Sequence, residues 1–315
     1  MFKIVLYDES HKAEWDKFVS GSKNGTFLFM RSYMDYHSDR FADHSLMCFH
    51  KGNVYAVLPA NRTGDTLISH QGLTYGGLVT DSRATAADVC ELMAQINSFL
   101  FSCGIRHVVY KAMPWIYHTI PAEEDLYALT KVCGAKLSGR DISSTIILPD
   151  AIRLSQLRRR GVHKAMRAGI EVRQSNDLEA FWNILDANLE SKYNVRPVHS
   201  LAELRLLQSR FPDEIALWMA YRGDEPLGGT LLFITKQTIH TQYISASPEG
   251  KRLGALDLLF DTLIHKEWPG MKYFDFGRST EDQGRYLNAN LIFQKEGFGG
   301  RGACYDTYEW TITEK

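Results

Sequence analysis

Two stretches of the chain combine residue types that could do chemistry. In QYISASPEGKRLGALDLL, residues 242–259, a strand pattern ends at Ala246. A loop with Pro248 and Gly250 follows, and a helix pattern begins near Arg252. Unpaired N–H groups and the helix dipole make such a start an anion site, and small residues let a phosphate approach. The binding candidates are Ser245, Lys251, Arg252, Gly254 and Ala255, with a plain strand-to-helix turn as the other reading. In YFDFGRSTEDQGRYLNANLIFQKEGFGGR, residues 273–301, Asp275 interrupts an apolar strand, Gly277 opens a polar turn, and Lys295 precedes a glycine-rich turn. Glycines permit close backbone approach, and an ammonium at 295 can meet an oxyanion or a phosphate.

Two further segments have binding chemistry. Between residues 153 and 173 stand Arg153, Arg158, Arg159, Arg160, Lys164, Arg167 and Arg173, against the single acid Glu171. Such a run is a solvated helix face or, where Leu154, Leu157, Val162 and Ala165 dock it, a surface for a phosphorylated substrate, with Arg159, Arg160 and Lys164 in contact. The loop HQGLTYGG, residues 70–77, either shapes an acceptor pocket through Tyr75 and Gly76 or is only a turn.

The elements that would position these groups repeat. The first half reads as a strand at 2–7, helices at 13–19 and 32–37, and two strands joined by a tight turn in which Gly52 and Asn53 tolerate positive φ. A strand at 66–69, a helix at 84–101 stopped by Gly104, a strand at 106–110, a helix at 123–133 and a strand at 144–148 complete it. The second half gives a helix from Ser155 to Ala168, a strand at 170–174 and helices at 178–190 and 201–208. Three strands follow at 215–223, 225–235 and 238–247, then a helix at 252–266, a strand at 272–277, a short helix at 286–291 and a strand at 303–312. Each half runs helices, β-meander, helix, strand, helix, strand. We expect an α/β (α+β) fold of two such domains, 1–150 on the acceptor side and 151–315 carrying the donor site. Each has a mixed, mainly antiparallel sheet flanked by helices, and the last strand has the option of returning to the first domain.

Composition narrows the class. At 315 residues, with 44% hydrophobic and 23% charged, the chain has material for two buried cores. Its longest apolar runs are strand-sized and its first residues show no secretory pattern, so no membrane insertion is expected and a cytoplasmic location is the default. Five scattered cysteines, without a C-x-x-C pair, point to neither a disulfide framework nor structural zinc, and no histidine spacing suggests a metal. A net charge of −1 gives no overall footprint for DNA.

With these residues in place, the 242–259 junction resembles the acetyl-CoA loop of GNAT acetyltransferases. Lys251 and Gly254 match the first two positions of that pattern, while Leu256 stands where Gly or Ala is expected. The tandem order, the DFG strand end, the K-E-G-F-G-G turn, RRRGVHKAMRAGIEV and PVHSLAELRLLQSRFPDEIAL together resemble the FemAB/FemX family of aminoacyltransferases, over essentially the whole chain. The likeness departs at Gln294, where the family has an aromatic residue, and in lacking the long charged helical arm of some members.

The resemblance implies two tandem GNAT-type domains and an acyltransferase acting on an amine. The donor it implies is aminoacyl-tRNA or acyl-CoA, the latter a co-substrate and not a tightly bound cofactor. The acceptor is a small molecule such as a cell-wall or sugar-nucleotide precursor. A non-catalytic GNAT-fold protein that binds a nucleotide-sugar or peptide is the alternative. In the enzyme, an amine attacks an ester or thioester carbonyl, charge develops on oxygen, and a proton leaves. Strand N–H groups near 243–245 are candidates to hold the carbonyl, with Lys295 for charge stabilisation. Asp275 or Glu281 would accept the proton and Tyr243 would act as acid; Arg278 belongs to the same turn. Asp275 has the other option of capping the turn at Gly277. Oligomeric state leaves no mark on the sequence.

Overall fold

A computed structural model describes residues 1–193, 197–266 and 268–314, without the side chains of 191–193. The chain divides into two compact units, Met1–Asp141 with Thr280–Tyr286 and Cys304–Lys315, and Ile142–Ser279 with Leu287–Ala303. The first of these divisions falls at 141/142, within a strand of 12 residues.

The first unit opens with β1 (Lys3–Leu6), α1 (Lys12–Gly21) and α2 (Arg31–Met34), then β2 (Leu46–His50) and β3 (Asn53–Leu58). The turn between β2 and β3 has positive φ at Lys51 and Gly52, not at Gly52 and Asn53 as expected. His50 pairs with Asn53, so the two residues between them make the whole loop, and both must twist in the mirror-image sense. β4 (Asn61–Thr63), β5 (Thr66–Ile68) and β6 (Val79–Thr80) are short. α3 (Ala86–Ser102) is capped by Thr85, whose hydroxyl accepts from Asp88 N at 3.2 Å. It buries Val89, Leu92, Met93, Ile96 and Leu100 on one face, as its spacing requires. β7 (His107–Lys111), α4 (Glu124–Lys131) and β8 (Lys136–Ile147) follow. β8 begins eight residues before the strand read at 144–148, since Ser138, Gly139, Arg140 and Asp141 hide it from any apolar pattern. Arg140 is instead tied to Asp306 by two 2.7 Å hydrogen bonds.

In the second unit α5 (Gln156–Arg167) starts at Ser155, whose hydroxyl accepts from Arg158 N at 3.4 Å. β9 (Ile170–Ser175), α6 (Leu178–Tyr193) and α7 (Leu201–Arg210) come next, the last with a capping box of Ser200 and Glu203. The meander β10 (Ile215–Arg222), β11 (Glu225–Ile234) and β12 (Thr238–Ala246) is antiparallel throughout.

The helix expected at 252–266 is two helices, α8 (Pro248–Leu253) and α9 (Ala255–His265). Gly254 separates them at φ 81°, a left-handed conformation that breaks the hydrogen-bond ladder. β13 (Tyr273–Arg278), β14 (Thr280–Glu281) and β15 (Tyr286–Leu287) precede α10 (Ala289–Glu296) and β16 (Arg301–Thr311). The helix expected at 286–291 therefore lies later, because Asn288 caps it by accepting from Leu291 N at 3.1 Å. The sheet order in this unit is β8-β13-β12-β11-β10-β9, and every pairing is antiparallel except β12 with β13. No helix among the described residues is long and apolar enough to cross a membrane.

Tyr75 and Gly76 lie in the first unit as packing elements. Tyr75 is 2% exposed, donates to Thr26 Oγ1 at 3.2 Å and sits 4.3 Å from the Tyr117 ring. A Cβ on Gly76 would fall 1.9 Å from Ser69 O, where no side chain fits. Gly76→Ala is therefore expected to cost roughly 1–3 kcal/mol, read as a lower urea midpoint at unchanged m. A midpoint equal to that of wild type would return this loop to consideration as a free substrate surface.

Candidate active site

β12 and β13 run parallel and pair only at Thr238–Tyr273, Ile239–Phe274 and His240–Asp275. Beyond that point β12 continues to Ala246 without β13 beside it. Its partner register with β11 steps from Leu231–Tyr243 to Leu232–Thr241, so Gln242 is an extra residue in the strand. Such a bulge adds local twist and turns the outer half of β12 away from its parallel neighbour. The gap is a cavity of about 340 Å³ lined by Ile244, Ser245 and Ala246 of β12 and Phe276 of β13. Helices complete it with Leu185, Asn188 and Leu189 of α6, Lys251 of α8, Leu256 and Phe260 of α9, and Leu291, Gln294 and Lys295 of α10 with Phe298.

Lys295 is 5% exposed. Its Nζ donates to Gly277 O at 2.8 Å and Arg278 O at 2.7 Å, the carbonyls at the end of β13. An ammonium has three N–H donors, and these two carbonyls engage two of them. Burial lowers the Lys295 pKa to about 8, with Asp275 pulling it the other way and Arg278 adding to the fall. The carbonyl acceptors face Lys295 because Gly277 adopts φ 72°. Phe298 stacks on Phe276 at 5.6 Å, and Phe276 lies 5.0 Å from Phe260, which pins the end of α10 to the strand.

Asp275 is fully buried and engaged on every side. It accepts from Ser143 Oγ, from Thr145 Oγ1 at 2.7 Å and from Gly277 N at 3.2 Å, and it pairs with His240 Nδ1 at 2.8 Å. Burial alone would raise its pKa, but His240 and the two hydroxyls outweigh that and hold the carboxyl below its usual range. It organises the strand end, including the turn at Gly277. Tyr243 does not line the cavity; its hydroxyl meets His199 Nδ1 at 2.7 Å, and burial raises its pKa. Glu281 is exposed in β14 of the first unit, and Arg278 is an exposed side chain whose carbonyl serves Lys295.

At the strand–helix junction only part of the expected set meets the cavity. Ser245 and Lys251 line it, whereas Ala255 is buried in packing and Arg252 is turned to Glu249 at 2.7 and 2.8 Å. Gly254 lies close over Gly161 O, which a Cβ would approach to 2.7 Å. The helix start is α8 at Pro248, not Arg252, and protein groups occupy it. Ser247 Oγ accepts from Gly250 N at 3.0 Å. Glu249 stands in the first turn, its pKa held down to about 2 by hydrogen bonds from Arg252 and Arg222.

Asn188 escaped the sequence reading. Its Nδ2 donates to Ser245 Oγ at 2.8 Å and Ala246 O at 2.7 Å, and its Oδ1 accepts from Lys251. His240 was likewise passed over, as a lone histidine in an apolar strand gives no spacing signal. On α5, Arg158 turns inward to Asp257 at 2.7 Å, while Arg159, Arg160 and Lys164 are exposed. The five cysteines are free thiols. The described residues hold no cluster of three His, Cys, Asp or Glu able to bind a metal.

Residues 153–286 match the family described as acetyltransferase (GNAT) domain. No curated protein matches the chain in sequence. Among solved structures, FemX is similar at a TM-score of 0.68 and 12% identity, covering 98% of this chain and 97% of that one. The L-PGS of Bacillus licheniformis is similar at 0.63 and 12%, covering 98% and 93%. A conserved protein of unknown function from Bacteroides thetaiotaomicron is similar at 0.62 and 10%, covering 99% and 100%. The second half of the chain carries a GNAT acetyltransferase domain, the chain is an acyltransferase, and its fold is shared with FemX.

The depressed pKa of Lys295 has a stability consequence. An unfolded chain binds that proton up to pH 10.5 and the folded chain only to about 8, so wild-type stability rises with pH between them. Relative to Lys295→Met, wild type is expected to gain up to about 3 kcal/mol from pH 8 to 10.5. Urea unfolding of both proteins across that range checks it; parallel pH profiles would mean an unperturbed lysine.

Proposed function

We propose that the chain is an N-acyltransferase that takes its acyl group as an ester from charged tRNA, not as a thioester from CoA, and passes it to an amine on a small or cell-wall-type precursor. The observation that carries this reading is Lys295, a buried ammonium in the wall of a cavity between parting strands. The acceptor amine attacks the ester carbonyl carbon. The π pair moves to oxygen, where the Lys295 ammonium stabilises it, and the carbon–oxygen bond to the ribose then breaks. The leaving oxygen takes up a proton equivalent to the one the amine gives to water. Asp275 is saturated by its four partners and serves to hold the strand end, not to accept this proton.

The donor choice rests on the junction. A CoA pyrophosphate needs free N–H groups and no negative charge at the helix start, and Ser247 and Glu249 supply the opposite. Leu256 further places an isobutyl group in the cavity where a small residue would leave room. The residues present therefore do not fit that group. The exposed Arg159, Arg160 and Lys164 on α5 suit a polyphosphate donor. FemX, the L-PGS and the conserved protein share the fold, and this reading extends from the site.

Transfer should be measured from a charged tRNA pool and, separately, from acetyl-CoA, to a panel of amines. Lys295→Met is expected to lower turnover by ~10²-fold or more in a folded protein, and Lys295→Arg to restore it in part. Unchanged turnover in Lys295→Met would remove the lysine from catalysis. A melting point raised by millimolar CoA would overturn the donor choice.

A further inference from the structure

We infer that the side chain of the acyl group entering the second unit's cavity is apolar and uncharged, and that Lys251 is the residue that rejects a cationic one. The inference deepens the transferase reading above. No Asp or Glu lines the cavity. Of the carboxylates near its walls in sequence, Asp257 pairs with Arg158 at 2.7 Å, Asp275 with His240 at 2.8 Å and Glu249 with Arg252 at 2.7 Å, while Asp186, Glu190, Asp261 and Glu296 are not among its lining residues. Two ammonium groups stand in the walls instead, Lys295 and Lys251.

Lys251 is held in place. It donates to Asn188 Oδ1, while Asn188 Nδ2 donates to Ser245 Oγ at 2.8 Å and Ala246 O at 2.7 Å. That amide therefore ties α6, the end of β12 and the lysine of α8 into one wall. Apart from the Gln294 amide, the rest is hydrocarbon, with Leu256, Phe260 and Phe276 among it. A lysyl or arginyl side chain would leave water for an apolar space with no counter-ion and with like charges beside it, which disfavours entry. A neutral aliphatic group gains with each methylene it buries, and Leu256 limits how long it can be.

The test separates the cavity from the donor. Binding to the full chain is measured by calorimetry for non-transferable 3′-(aminoacylamino)adenosines carrying leucyl, alanyl or lysyl groups. Hexanoyl-CoA and 6-aminohexanoyl-CoA are measured in parallel, since that pair differs only by a terminal ammonium. The leucyl probe is expected to bind ~10²-fold more tightly than lysyl and about tenfold more tightly than alanyl. Lys251→Glu should narrow the leucyl–lysyl gap about tenfold, less at high salt. Lys251→Met should fall between.

Equal binding of leucyl and lysyl probes, or a gap that Lys251→Glu leaves unchanged, overturns the inference. Should the adenosines fail to bind while hexanoyl-CoA binds and its amino analogue does not, the cavity's preference stands and the tRNA donor falls. Binding by none of the five probes overturns both.

Discussion

Once β12 and β13 part after His240 and Asp275, the rest of the second unit has to fill or line what opens between them. Parallel strands joined through a helix normally stay paired, since each unpaired N–H and C=O away from water costs free energy. Here the bulge at Gln242 on one side and the Asp275–Gly277 turn on the other make the parting possible. The freed carbonyls of Gly277 and Arg278 find their donor in Lys295, and the outer end of β12 is fastened by Asn188. Structure and chemistry share one cause, because the groups left by the parting are those that hold the ammonium.

The buried carboxylate and the buried ammonium have different duties. Asp275 has a hydrogen bond or charge from four residues and a pKa pushed down, the mark of a group fixed as an anion. Lys295 has its pKa pushed down by burial, which means its charge is held at a cost. Holding that charge against desolvation in a cavity wall costs stability and does not add to it. The aromatic contacts of Phe260, Phe276 and Phe298 hold the helix that carries it.

At the two ends of α8 the expected anion site meets other groups. Lys251, Gly254 and the strand before them have the residue types of an anion loop, but Glu249 is in the first turn and Ser247 is the cap. A negative side chain at a helix start does for the dipole what a phosphate would do, and the two exclude each other. Gly254 proves to be a joint between helices, packed over Gly161, where the pattern had placed a phosphate cradle.

The sequence by itself determined the element types and their repeated order, because amphipathic spacing and caps act within a dozen residues. The faces of α3, the Ser155 cap of α5 and the three-strand meander are all of this local kind. Lys295 stood out for a similar reason, its glycine-rich sequel. The first part of β8 was invisible because its polar residues are held by pairing and by Arg140–Asp306, contacts to residues far along the chain. The break at Gly254 was missed because a left-handed glycine inside an apolar period leaves the period intact. Only the tertiary structure decided that Asp275 is saturated, that Tyr243 belongs to His199, and that Asn188 joins the cavity wall. Each of those roles depends on partners 35 to 132 positions away, and no local pattern records a distance closed by folding.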